Sequence, residues 1–258
     1  MDRTYVVTGS ASGIGAATAH YLREHGGRVI GADLHDADVI ADLSNAEGRA
    51  KLVADVKRLS GGRIDGIVAN AGGGRPETML SLNFFGTVAT LEGLRPLLES
   101  SPAPRAVMVS SIASLSPIDP RIVEACLAMD EAGANAIARE AFDSGKAVLD
   151  FYAIAKHALN TWCRRVAGTP QWAGAGIPIN VVAPGLFDTP AARWVLDNPE
   201  QRAAMGQMIP MQGQYPARPE RMASILAWCV GEENSVMTGQ IIYVDGGFEC
   251  VTRGERTW

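Results

Sequence analysis

Residues 4–26 read TYVVTGSASGIGAATAHYLREHG, and this stretch decides the fold. TYVVTG (4–9) is a short β-branched run, the pattern of a strand. IGAATAHYLREHG (14–26) has helical spacing and stops at Gly26-Gly27. Between them, Gly9, Gly13 and Gly15 punctuate TGSASGIG (8–15). Glycines at a strand-to-helix turn permit a tight bend and let the backbone approach a pyrophosphate, which then faces the free N–H groups and positive end of the helix. The same glycines also suit a plain βα turn, and their spacing is not the common G-x-G-x-x-G.

The alternation continues outward. RVIGAD (28–33), VIADL (39–43), IDGIVANAG (64–72), RAVMVSS (105–111), INVVAPG (179–185) and QIIYVDGG (240–247) read as strands. AEGRAKLVADVKRLS (46–60) reads as a helix, with Ser44 as its N-cap, Glu47 at N3 and a stop at Gly61-Gly62. Further helices are expected within 78–99, over 151–167 and over 219–231. Apolar strands alternating with helices predict an α/β protein: a doubly wound, Rossmann-type parallel sheet of about seven strands with helices on both faces. One domain over 1–258 is expected, since no linker or repeat interrupts the pattern. Two segments exceed ordinary connections. Residues 112–150 read as an insertion, with EACLAMDEAGANAIAREAF (124–142) helix-compatible, and 186–218 is rich in Pro, Met and Gln.

Composition narrows the function. Of 258 residues, 47% are hydrophobic and 20% charged, enough for a sizeable core. The net charge of −5 and the lack of a basic run argue against nucleic acid. MDRTYVVTGS has no apolar h-region and no stretch is long enough to span a bilayer, so a cytoplasmic protein without a membrane partner is expected. Cys126, Cys163, Cys229 and Cys250 are scattered, and His20, His25, His35 and His157 have no ligand spacing, so no metal is expected.

Two further features suggest chemistry. Asp33 closes the second strand 18 residues after Gly15, where a carboxylate accepts hydrogen bonds from an adenosine ribose. A carboxylate would repel a 2′-phosphate, and Ser10-Ala11-Ser12 offers no cation for one, which points to NAD rather than NADP. An ordinary strand-end turn residue is the alternative. In FYAIAK (151–156), Tyr152 and Lys156 lie four apart, on one helix face. Read alone, the pair is a snorkelling lysine beside a half-buried tyrosine.

With TGSASGIG, Asn70-Ala71-Gly72 and YAIAK in that order, the chain resembles the short-chain dehydrogenase/reductase family over nearly its whole length. The resemblance implies a cofactor site of Gly9, Ser12, Gly13, Ile14, Gly15, Asp33, Leu34, Asn70, Ala71, Gly72, Tyr152, Lys156, Pro184, Gly185 and Thr189, with Asp42 and Leu43 bracketing the adenine. It implies catalysis by Ser111 (rather than Ser110), Tyr152, Lys156 and Asn83 of SLNFFG. Tyr152 would be the base. An unperturbed tyrosine titrates near ~10, and a cation one turn away favours the phenolate. Lys156 would tune it and hold the nicotinamide ribose, Ser111 would orient the substrate oxygen, and Asn83 would hold a water linking Lys156 to solvent.

GADLHDADVIADLSNAEGR (31–49) is similar to the same stretch of the bacterial 3α-hydroxysteroid dehydrogenase/carbonyl reductase subgroup, which also carries a long insertion between serine and tyrosine. Here Ser111 and Tyr152 are 41 residues apart. Coniferyl alcohol and terpene alcohol dehydrogenases resemble this layout too. The expected reaction interconverts a bulky apolar secondary alcohol and its ketone, with a 3α-hydroxysteroid first and cyclic monoterpene or coniferyl-type alcohols behind. A non-catalytic dinucleotide sensor is the competing reading. Leu186, Phe187, Trp194, Val195, Leu196, Met205, Met208, Ile209 and Met211 suggest an apolar substrate lid at about 186–215, or else short helices packed on the core or a subunit contact. The insertion is expected to cover one subunit face, leaving a homodimer built around helix 219–231 and the last strand.

Overall fold

Each β-branched run is short, apolar on both faces and followed by enough chain to cross back, so parallel pairing is the available solution. In the computed structural model, which describes residues 3–143, 151–211 and 214–256, these runs form one sheet. Its strands are β1 (Thr4–Thr8), β2 (Arg28–Asp33), β3 (Val39–Ile40), β4 (Gly66–Ala69), β5 (Arg105–Val109), β6 (Ile179–Pro184) and β7 (Ile241–Val244). Their order is β3-β2-β1-β4-β5-β6-β7, and all six pairings are parallel. The winding reverses between β1 and β4, which opens a crevice at the carboxyl ends of the strands there.

The helices are α1 (Gly13–Glu24), α2 (Ala46–Ser60), α3 (Thr87–Leu98), α4 (Pro120–Leu127), α5 (Glu131–Asp143), α6 (Phe151–Val166), α7 (Arg193–Leu196), α8 (Pro199–Met208), α9 (Pro219–Val230) and α10 (Phe248–Arg253). The period-2 pleat of β1 divides the core. Tyr5 and Val7 pack with Leu22 of α1 and Met222 and Leu226 of α9, while Val6 faces Leu52 of α2, Leu91 of α3 and Leu159 of α6. No helix among the described residues is long and apolar enough to cross a membrane.

Several expected boundaries shift for local reasons. The run over 39–43 ends as strand at Ile40, because the Asp42 carboxylate accepts from the Ser44 amide at 2.9 Å and turns the chain. That turn uses up Ser44, so α2 is capped instead by Asn45, whose Oδ1 accepts from Gly48 N at 2.8 Å. The fourth strand stops at Ala69, and Asn70–Gly72 lies beyond it. The long helix expected within 78–99 opens with a π turn, Ser81–Gly86, before α3 begins.

The insertion is two helices rather than the single one expected over 124–142. Asp119 starts α4 by accepting from Arg121 N at 2.9 Å, with Pro120 at the first position. Met129 then takes a left-handed φ of 59° and ends it, with Asp130 N donating to Ala125 O and Met129 N to Cys126 O. Asp130 restarts the chain by accepting from Gly133 N at 2.9 Å. Ile122, Val123, Cys126, Ala134 and Ala138 are buried in the same core as α3 and α6. Residues 144–150 of the expected insertion lie outside the described residues.

Candidate active site

The glycine turn closes tightly. Gly9 and Gly13 have φ of +70° and +53°, conformations that side chains disfavour. A Cβ on Gly9 would lie 2.7 Å from Asn70 Nδ2, and one on Gly15 would collide with the Gly9 carbonyl. Asn70 braces the turn, donating from Nδ2 to Thr8 O at 3.0 Å, while its own amide and that of Ala71 donate to Thr8 Oγ1, each at 3.0 Å. Thr189, buried, stands across the turn, 3.2 Å from where a Gly13 Cβ would be. Ser12 occupies the N-cap position of α1 without a side-chain cap, and the first turn holds no acidic residue. The amides and positive helix end beside Ser12, Gly13 and Gly15 therefore face outward as a fit for pyrophosphate. Ile14 is turned away from them, into the core with α9.

Asp33, at the end of β2, accepts from Ala11 N at 2.9 Å and from Leu34 N at 2.7 Å, each on a different oxygen. Each oxygen keeps a lone pair for a ribose hydroxyl. Leu34 is 61% exposed beside it, an apolar side chain open to solvent. Hydrogen bonds from Ser44 hold the Asp42 carboxyl below the usual carboxylate range, whereas the Leu43 side chain is buried in the core. Pro184 ends β6, and Gly185 N donates to Val244 O at 2.9 Å. This donor and acceptor set fits a nicotinamide–adenine dinucleotide laid across the strand ends.

The two serines after β5 separate cleanly. Ser110 is buried and donates to the Lys156 carbonyl at 3.2 Å. Ser111 is half-buried, and its Oγ accepts from Ala113 N at 3.1 Å at the head of a 3₁₀ turn, Ile112–Leu115. Ser110 is thus committed to the core, whereas Ser111 keeps partial exposure at the carboxyl end of β5. Lys156 is 2% exposed and donates from Nζ to Val109 O at 2.9 Å, which ties α6 to the end of β5. Its Nζ lies 5.3 Å from the centroid of the Tyr152 ring. Burial pushes the Lys156 ammonium down to about 7, so it sheds its proton far more readily than a surface lysine.

Asn83 is fully buried in the π turn. Its Oδ1 accepts from Gly73 N at 3.1 Å, and its Nδ2 donates to Gly73 O at 2.7 Å and Met79 O at 2.8 Å. It braces the loop after β4. A Cβ on Gly72 would lie 2.9 Å from Asn83 Oδ1 and 3.5 Å from Lys156 Nζ, so the glycine leaves space between them. The site also has a supporting layer that the sequence reading missed. Ser114 Oγ donates to Ser111 O at 2.7 Å and accepts from Asn160 Nδ2 at 3.0 Å. Asn160 is one turn beyond Lys156 on the face that carries Tyr152, and that spacing is the signal that marks it.

The segment after β6 divides in two. Phe187, Val195, Leu196 and Ile209 are buried, but Trp194 is 71% and Met211 57% exposed, and α8 has no buried residue. Residues 186–188 are pinned to Ala217 by backbone hydrogen bonds, and Met211 N donates to Gly246 O at 3.1 Å. Gln212 and Gly213 lie outside the described residues. Among the described residues no group of His, Cys, Asp and Glu is placed to hold a metal ion. Burial pushes the thiols of Cys126, Cys163 and Cys229 up to about 12, which leaves them inert.

Known proteins are similar to this chain in sequence and fold. The enoyl-(acyl carrier protein) reductase family model matches residues 121–249. The 3-alpha-hydroxysteroid dehydrogenase/carbonyl reductase of Comamonas testosteroni is 36% identical over 255 residues, covering 96% of this chain and 97% of that protein. The crystal structure of the 3-alpha-hydroxysteroid dehydrogenase from Pseudomonas sp. B-0831 complexed with NADH superposes with a TM-score of 0.89 at 36% identity, covering 98% and 99% of the two chains. The Pseudomonas aeruginosa RhlG/NADP active-site complex gives 0.73 at 28% identity, covering 95% and 96%. The identity over nearly the whole chain and the matching parallel sheet show the family: the chain belongs to the short-chain dehydrogenase/reductase family of oxidoreductases.

Proposed function

We propose that the protein is an NAD-dependent dehydrogenase that interconverts a bulky, largely apolar secondary alcohol and its ketone. The observation that carries this reading is the buried Lys156, its Nζ 5.3 Å from the Tyr152 ring and at the end of the strand that leads to Ser111. While it holds its proton, Lys156 favours the phenolate, so Tyr152 takes the hydroxyl proton in oxidation and returns it to the carbonyl oxygen in reduction. Ser111 Oγ orients the same oxygen. Lys156 has donors for the nicotinamide ribose as well as for Val109 O. A nicotinamide held by these residues would supply the hydride acceptor for the carbinol carbon, and the hydride donor in the reverse direction. Asn83 fixes the loop after β4, and the space beside Gly72 suits a water between Asn83 and Lys156.

Asp33 supports NAD over NADP, because its carboxylate accepts from ribose hydroxyls and repels a 2′-phosphate. The substrate reading rests on the exposed Trp194, Met208 and Met211 and on a lid helix that buries nothing in the core. Apolar area removed from water is worth roughly 25 cal/mol per Å², so a ring system would bind with few polar contacts. Similarity to a 3-alpha-hydroxysteroid dehydrogenase ranks a 3α-hydroxysteroid first, with cyclic terpene and aromatic allylic alcohols next. A homodimer through α9 and β7 is part of the same proposal, since Trp228 is 45% exposed there and α4 and α5 cover the core on the α3 and α6 side.

The test is NADH formation from NAD with these alcohols and with short polar ones, for wild type and Asp33→Ala. Turnover of ring alcohols is expected, with Asp33→Ala losing kcat/KM for NAD far more than for NADP. A wild type that prefers NADP, or works best on a short charged alcohol, contradicts the reading. No turnover of any alcohol, together with tight NADH binding, favours a sensor.

A further inference from the structure

Arg49 joins three parts of the chain that the sequence keeps far apart. It lies in the first turns of α2. Its Nε donates to Leu43 O at 2.8 Å, at the segment assigned to the adenine. Its Nη2 donates to Ser81 O at 2.6 Å, where the π turn begins. Both terminal nitrogens hold the carboxylate of Glu131, the first residue of α5, at 2.6 and 2.8 Å. Asn135, one turn along α5, adds a hydrogen bond to Ser81 Oγ at 3.1 Å. The side chains of Arg49 and Glu131 are only 13% and 34% exposed.

A planar guanidinium with five donors can grip a carboxylate edge-on and still reach backbone carbonyls, here those of Leu43, Ser44 and Ser81; a lysine cannot. The Leu43 carbonyl is also pressed by the π turn, since a Cβ on Gly86 would lie 2.6 Å from it. The turn of Asp42-Leu43 is thus clamped from two sides, and one side is anchored by the insertion. Without Glu131, the guanidinium would lose the partner that fixes its plane, and its bond to Leu43 O would loosen.

We propose that Glu131 and Arg49 are positioning residues through which the inserted helix α5 sets the adenosine end of the cofactor site. The inference rests on the dinucleotide reading above. It gives the insertion a role in cofactor affinity, separate from any role in assembly. Asn83 keeps its own hydrogen bonds to Gly73 and Met79, and the clamp reaches it only through Ser81 of the same π turn, so the chemical step should change little.

The test is NADH binding to full-length wild type, Glu131→Gln, Glu131→Ala and Arg49→Lys, followed by fluorescence, with steady-state kinetics and melting temperature alongside. Both Glu131 variants are expected to raise the Kd for NADH and the KM for NAD about fivefold. Their kcat should stay within about twofold and the KM for the alcohol should not move. Arg49→Lys should fail to restore tight binding although it keeps the charge. Variants that melt earlier yet bind NADH like wild type reduce the contact to a structural one and overturn the proposal. Wild type that binds no NADH overturns the dinucleotide reading and this inference together, whereas unchanged variants beside a binding wild type overturn this inference alone.

Discussion

Replacing Lys156 by methionine should stabilise the protein while removing its turnover. Lys156 is buried, and its ammonium titrates at about 7 instead of 10.5. The folded state therefore binds fewer protons than the unfolded state between those values, and stability rises with pH across that window. The penalty for the buried charge is fully present below about pH 7, where it approaches about 5 kcal/mol, and at pH 7 it is still about 4 kcal/mol. It shrinks to about 2 kcal/mol at pH 9 and vanishes above the unfolded value. Methionine fills similar space without a charge and loses the hydrogen bond to Val109 O, which offsets about 1–2 kcal/mol. The net gain is about 2 kcal/mol at neutral pH, a rise of about 4–8 °C in Tm for a chain of this size, and near zero at pH 9. The assay is calorimetry of dinucleotide-free wild type and Lys156→Met at both pH values, because bound dinucleotide would stabilise the wild type by mass action. A variant that melts below wild type at pH 7, or a Tm difference that is the same at both pH values, would refute the reasoning.

Tyr152→Phe should lower kcat by about 10²–10⁴-fold while the Kd for NADH stays within about twofold, as single-turnover and binding measurements would show. Ser111→Ala should cost about 10²-fold or more in kcat beside about 1 kcal/mol for its lost cap, whereas Ser110→Ala should cost about 1 kcal/mol of stability and leave most of the rate. The opposite pattern makes Ser110 the reacting serine. Asp65, buried at the foot of the sheet, accepts from Thr4 N at 2.9 Å, Ser101 Oγ at 2.6 Å and Arg63 at 3.1 Å. Burial raises its pKa, but those hydrogen bonds outweigh it and hold the carboxyl below its ordinary 3.8, so its contribution is lost only as the pH falls through that lowered value. Asp65→Ala should cost about 3 kcal/mol or more in urea unfolding at pH 7. A loss below about 1 kcal/mol would mean the three donors find other partners.

The sheet was legible because its signal is local. The runs at 28–33 and 46–60 carry the strand and helix they suggest over the same residues, since period and stop signals coincide there. The break at Met129 left no mark in an alanine-rich pattern, because a left-handed methionine is not a recognised stop and only the hydrogen bonds to Ala125 and Cys126 make it one. Ser44 is a good cap in isolation; Asp42 turned the chain one residue earlier and passed the task to Asn45. Of the site, the residues on short motifs were readable, since Gly9 to Gly15 and Tyr152 to Lys156 are each set by one turn of backbone. Ser114, Asn160 and the Arg49–Glu131 pair were not, because each acts across elements joined only by the tertiary fold.

The freedom of α8 has a consequence for how such a protein diverges. Its side chains hold no place in the core, and the segment is fastened at its two ends through backbone atoms. Under the proposed function, substitutions between Pro199 and Met208 would change what touches a bound alcohol with little effect on folding, while the glycine turn and Asp33 would keep the cofactor end constant. Substrate range can drift there through nearly neutral steps, one side chain at a time, so relatives that share the sheet and the serine–tyrosine–lysine group can differ in the alcohols they accept.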